Sequence, residues 1–314
     1  MKYFEYIDED GVVYMVDRII SYTEDMKEIA KLFQQNDGRY KSENNGGDYI
    51  ERCSEKHKIE SFVKEIFLPK EIKNFNVFSE SYPVLENYYV EESNPYYSAK
   101  DGVLFNKEQT VLKKYPRANK RELYIVPEGV VKIEDRAFDE TSNLKQIILP
   151  KTTTLISHCA FDYKRNLETL IINSPSIDAG LILGYCAKMF DYVILSNAVY
   201  MSSFYDIYRC KRVVLLADSI YFETNEDNRI EDSIFEKLTP IQEIIVPQDK
   251  VEKYKEMFSE KQHLVRGLTD KESSVIKEYM QTEKHDTIFA LLKQMEEDYH
   301  QNKYKINPYS REQI

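Results

Sequence analysis

The stretch LYIVPEGVVKIEDRAFDETSNLKQIILP, residues 123–150, decides the fold once IILPKTTTLISHCAFDYKRNLETLIINSP, residues 147–175, is set beneath it. Pro127 falls on Pro150, Ala137-Phe138 on Ala160-Phe161 and Leu144 on Leu167, each after a shift of 23 residues. The register carries on: Leu167 maps to Phe190, and Leu170-Ile171-Ile172 to Val193-Ile194-Leu195. A shorter step of 20 reaches Val213-Val214-Leu215, and a longer one of 31 ends in Ile244-Ile245-Val246-Pro247. Upstream, Ile66-Phe67-Leu68-Pro69 reads as an earlier copy.

A unit of this size holds one short strand and one turn, too little to bury its own apolar face, so neighbouring units must stack. The expected fold is a β-rich α/β leucine-rich-repeat solenoid. Short parallel strands stack at about 23 residues per repeat, with an Ala-Phe knob beneath each. Pro127-Glu128-Gly129-Val130, Ile133, Ala137-Phe138 and Leu144 resemble the BspA-type leucine-rich repeat, a resemblance that covers about residues 60–258. NPYYSAKDGVLFNKEQTVLKKYP, 94–116, is similar to the hairpin insert of that family, and IIVPQDKVEKYKEMF, 244–258, to its closing unit. Between 176 and 240 the Ala-Phe knobs are missing.

Three regions follow: an α/β N-terminal cap over 1–60, the solenoid over 61–258 and a helical tail over 259–314. In the cap, KYFEYID and GVVYMVD flank Asp8-Glu9-Asp10-Gly11 as a hairpin, and TEDMKEIAKLFQQ reads as an amphipathic helix. In the tail, Thr269 or Asp270 caps KESSVIKEYMQTEK, and Asp286 starts a second helix with Ile288, Leu291, Leu292 and Met295 at helical spacing. Those stripes need an apolar partner: the solenoid itself, a second copy of the chain, or a partner helix.

The composition narrows the function. Asp plus Glu number 54 against 43 Lys plus Arg, a formal charge of −11 that repels phosphate backbones, so nucleic acid is not an expected partner. The longest charge-free run, Tyr192 to Tyr205, spans 14 residues, short of the roughly 20 that cross a bilayer, so no membrane insertion is expected. Glu5, Asp8, Glu9 and Asp10 stand where a signal peptide would be apolar. The cysteines Cys53, Cys159, Cys186 and Cys210 have no CxxC spacing. The expected location is cytoplasmic; the family resemblance implies the cell surface as the alternative.

Catalytic signatures are thin. The chain has no GxSxG, GxxxxGK[ST], HExxH or GxGxxG, and no catalytic residue, cofactor or metal is assigned. Cys53 and His57 stand four apart but have no second pair nearby in sequence, and Asp8, Glu9 and Asp10 read as a solvated turn. In His158-Cys159, neighbouring residues on an extended segment face opposite ways, and Cys159 and Cys210 fall at packing positions.

The strands say more. If the residue before each proline points inward, the one before it points outward. That rule sets Ile125, Ile148, Ile171, Ile194 and Val214 in one outer column, with Ile245 beyond and Phe67 at its start. Beside it run Gln146, Thr169, Tyr192 and Arg212. Three readings of the apolar column compete: β-branched residues simply suit strands, the tail or a neighbouring subunit covers them, or they form a ligand surface.

The leading expectation is a non-catalytic scaffold that binds another protein across this sheet face, through the nine residues of the two columns. The resemblance implies the same, since BspA-type arrays are typically binding modules, often adhesins. The alternatives are an enzyme or ligand sensor with its site in the N-terminal region, and a self-associating structural or adhesin-type protein. A homo-oligomer would form through the C-terminal helices.

Overall fold

The computed structural model describes residues 3–7, 13–17, 63–75, 82–157, 160–161, 166–174, 190–195, 199–201, 210–216, 220–222, 241–282 and 284–306. Its strands are β1 (Tyr3–Ile7), β2 (Val13–Asp17), β3 (Val63–Leu68), β4 (Asn87–Val90), β5 (Tyr97–Lys100), β6 (Val103–Asn106) and β7 (Val111–Lys114). They continue through β8 (Leu123–Ile125), β9 (Lys132–Ile133), β10 (Gln146–Leu149), β11 (Leu155–Ile156), β12 (Thr169–Ile172) and β13 (Phe190–Leu195). The last are β14 (Val199–Met201), β15 (Cys210–Leu215), β16 (Ile220–Phe222), β17 (Glu243–Val246) and β18 (Val265–Gly267). Three helices, α1 (Val251–Met257), α2 (Asp270–Thr282) and α3 (His285–Ile306), belong to the C-terminal part.

The repeats build a front sheet in the order β18-β17-β15-β13-β12-β10-β8, parallel throughout. Its register follows the sequence repeat: Leu123, Gln146, Thr169, Tyr192, Arg212 and Glu243 stand side by side. The protein is therefore a parallel-strand solenoid. A second sheet, β11-β9-β7-β6-β5, lies across the core, and β14 pairs with β16.

The residue before each proline does point inward. Val126 and Leu149 are buried, and they join Tyr124, Ile147, Leu170, Ile172, Val193, Val213 and Ile244 in one core with Leu112 and Ile133 of the second sheet. The Ala-Phe knobs fill the same core: Phe138 stacks on Phe161 with centroids 5.3 Å apart and planes 2° from parallel. A fully buried side chain of this kind contributes roughly 1.5–3 kcal/mol, and it does so only because the next rung excludes water from it. Tyr254 of α1 and Phe258 close the far end of that core.

The 94–116 insert is more than a two-stranded hairpin. β5, β6 and β7 form an antiparallel meander, and β7 then runs parallel to β9, so the insert extends the second sheet. Its β5–β6 turn has Asp101 at φ 53° and Gly102 at φ 79°, the left-handed pair that two-residue hairpins favour. Gly102 accepts a hydrogen bond from the Tyr88 amide at 2.9 Å. A Cβ there would come within 2.3 Å of Asn87 Oδ1.

β1 and β2 pair antiparallel as the sequence implies, and β2 continues onto β3, which pairs with β4; Ile66-Phe67-Leu68, expected as an earlier copy with Phe67 starting the outer column, thus stands in a four-stranded sheet separate from the front sheet. The expected helix in TEDMKEIAKLFQQ and the 176–189 stretch lie outside the described residues. No described helix is long and apolar enough to cross a membrane.

Candidate functional site

The apolar column is not an open surface. Ile148, Ile171, Ile194, Val214 and Ile245 are at most 2% exposed. They form a second hydrophobic cluster with Leu268, Ile276, Tyr279, Ile288, Leu291, Leu292 and Met295. The stripes of α2 and α3 thus pack onto the outer face of the front sheet. Of the three readings of the column, coverage by the tail holds for these residues, and as partner contacts Ile148, Ile171, Ile194 and Val214 are corrected. The physical reason is mutual: two apolar faces on one chain bury each other without the translational cost of recruiting a second molecule. Ile125, on the edge strand β8, is 43% exposed and marks where coverage ends.

The second column behaves differently. Gln146, Thr169 and Tyr192, on consecutive strands, line a cleft of about 500 Å³ between the front sheet and α3. Glu168 and Asp191 form one margin, and Phe289, Ala290, Leu292, Lys293 and Glu296 of α3 form the other. Thr169 is 5% exposed; Tyr192 is 3% exposed and its buried hydroxyl has no hydrogen-bond partner. Burial pushes the Tyr192 phenol up from its usual range, with Glu296 and Glu243 adding to the effect against Arg212. It is therefore neutral, able to donate and accept.

Arg212, the fourth member of that column, does not reach the cleft as a free cation. It is fully buried, donates to Glu243 at 2.9 Å and to Gln242 at 3.2 Å, and pairs with Glu296 of α3. Its guanidinium lies 5.3 Å from the Tyr192 ring centroid and 4.3 Å from that of Tyr299. A buried charge is tolerated only when paired in this way, and here the pairing clamps α3 to the sheet. Glu243 also takes Arg266 at 2.8 Å, and Arg266 reaches Glu272 of α2 at 3.1 Å.

The charges of the cleft divide into spent and free. Asp191 is paired with Lys211 and Glu296 with Arg212, and Glu296 also shares a hydrogen bond with His300 at 2.8 Å. Glu168 makes no ion pair among the described residues, although its charge adds to that of Glu122 in favouring the Lys145 ammonium. The sequence reading missed Glu168, Asp191 and the α3 margin. A signal for the first two was present: Lys145, Glu168, Asp191 and Lys211 recur at the repeat interval immediately before the polar column. The α3 residues had none, since nothing in the sequence says where that helix docks.

Among the described residues no group of three or more His, Cys, Asp or Glu is placed to hold a metal ion. Cys53, His57, His158, Cys159 and Asp8 to Asp10 lie outside the described residues.

The parallel front sheet, the inward knobs and the strand interval define a leucine-rich-repeat solenoid. Residues 118–213 match, in six copies, the model of the BspA type leucine rich repeat region. Among solved structures, the chain is similar to a leucine-rich repeat protein from Eubacterium ventriosum at 19% identity, covering 59% of this chain and 42% of that one, TM-score 0.37. It is also similar to the Pneumococcal vaccine antigen PcpA at 19% identity, covering 66% and 55%, TM-score 0.43. A leucine rich cell surface protein from Faecalibacterium prausnitzii matches at 17% identity, covering 57% and 51%, TM-score 0.39. The chain thus spans about half the length of these structures. No curated protein matches it.

Proposed function

We propose that the chain is a non-catalytic protein-binding scaffold whose partner enters the cleft between the front sheet and α3. One observation carries this reading. The apolar column beside the cleft is filled by the chain's own helices, whereas Gln146, Thr169 and Tyr192 line a cleft in which the buried Tyr192 hydroxyl has no hydrogen-bond partner. Buried polar groups are normally satisfied, and those left unsatisfied call for a ligand or water that completes them. A volume of about 500 Å³ falls in the ~300–1,000 Å³ range of ligand-holding clefts. The four cysteines, none in a CxxC, suit a reducing compartment, and on that ground we place the protein in the cytoplasm.

The test is site-specific photo-crosslinking in the source cells. A benzophenone amino acid replaces Gln146, at the cleft, or Val131, which is 43% exposed away from it. A discrete adduct with another protein from position 146 and none from 131 supports the reading. No adduct from 146, or the same adducts from both positions, contradicts it.

A further inference from the structure

The cleft also specifies the chemistry of what enters it. This inference rests on the scaffold reading and deepens it: we propose that the occupant is an extended peptide segment of the partner that carries a Lys or Arg side chain. The cation sits at Glu168, and the peptide backbone bonds to Gln146, Thr169 and Tyr192.

Geometry comes first. Gln146, Thr169 and Tyr192 are direct register partners on β10, β12 and β13, so their side chains project at the ~4.8 Å spacing of adjacent strands. Two such steps span roughly 10 Å, the length of about three extended residues at ~3.3 Å each. An extended backbone offers alternating N–H and C=O groups over that distance. An amide, a hydroxyl and a neutral phenol can each answer either kind of group. The Tyr192 side chain is more than nine-tenths buried and its hydroxyl lacks a hydrogen-bond partner, so a bound backbone would remove a standing desolvation cost there rather than only replace water.

Charge comes second. Three carboxylates and one ammonium line the cleft. Two of the carboxylates are already neutralised, Asp191 by Lys211 and Glu296 by Arg212. Glu168 is left as the carboxylate with capacity for a cation. Lys293 stands on the opposite, α3 margin, where it disfavours a cation and so sets which side of the cleft the basic side chain takes. An anionic segment would meet Glu168, Asp191 and Glu296 together. At longer range the formal charge of −11 attracts basic partners and repels acidic ones.

The test selects a random hexapeptide phage library on the full-length protein, then measures binding of the selected peptides by fluorescence anisotropy. Selected sequences are expected to be enriched in Lys or Arg at one position. Replacing that residue by norleucine in the peptide, or Glu168→Gln in the protein, is expected to weaken binding roughly tenfold. The two changes together should cost little more than either alone, because both remove the same pair. Thr169→Val, which keeps the shape and removes the hydroxyl, should weaken every selected peptide. The norleucine peptide is measured on the unmodified protein, so the inference is tested even if a variant fails to fold. Peptides that bind with no basic preference, or that ignore both Glu168→Gln and norleucine, would overturn the inference while leaving the scaffold reading intact. Spermidine that binds in the cleft where no selected peptide does would also overturn it. Absence of any peptide binding together with absence of the Gln146 crosslink would remove both.

Discussion

Lys114, at the end of β7, is 5% exposed and donates to the Arg136 carbonyl at 2.7 Å. Burial strips water from its ammonium and pulls its pKa down to about 8, against an opposing pull from Asp139. In the unfolded chain the same group titrates near 10.5. Below pH 8 both states hold the proton and the cost of burying the charge stands in full. Between pH 8 and 10.5 the unfolded chain binds more protons, so the contribution of this residue to stability rises with pH across that window. Urea denaturation at several pH values, for wild type and Lys114→Met, isolates the effect. The stability of wild type relative to the variant should climb above pH 8 by up to about 1.4 kcal/mol per pH unit. A difference that stays flat with pH would mean that Lys114 is not buried with its charge.

The helices of the tail are held to the sheet by side chains that also form their ends. Thr269 caps α2: its hydroxyl accepts the Glu272 amide at 3.2 Å, and Glu272 Oε2 accepts the Thr269 amide at 2.7 Å. This reciprocal box satisfies two of the amides a helix start leaves open. Because Glu272 also holds Arg266 of β18, the cap and the docking are one network. Thr269→Ala should cost ~1 kcal/mol of tail stability. In hydrogen exchange, α2 and α3 should then exchange severalfold faster, while the amides of β10 and β12 keep wild-type protection. Uniformly faster exchange would show that tail and solenoid unfold only together.

Much at this scale was legible in the sequence. The proline rule sorted inward Val126 and Leu149 from outward Ile125 and Ile148, because strand side chains alternate whatever surrounds them. Both tail helices followed from 3.6-residue periodicity. Their docking site did not, because an amphipathic stripe requires an apolar partner without naming it. Arg212 was misplaced for the same reason. It fell in the repeat register of Tyr192, but its carboxylate partners stand 31 and 84 residues further along the chain.

At the scale of the molecule, the tail decides what the solenoid can do. Docking of α2 and α3 converts an apolar sheet face into a buried seam and leaves a polar cleft along its margin. Each covered isoleucine contributes roughly 1.5–3 kcal/mol toward the docked form, against the ordering entropy of the helices.

The most direct test of that arrangement is thiol accessibility in the native full-length protein. Ile125→Cys and Ile171→Cys are labelled with a maleimide and mapped by mass spectrometry peptide by peptide, so that the four native cysteines are followed separately. Both positions belong to the same outward column, at 43% and 0% exposure. A thiol at 125 should react at the rate of a free thiol, and one at 171 only after denaturation. Equal labelling at both positions in the folded protein would mean that the front sheet is open and that the tail does not cover it.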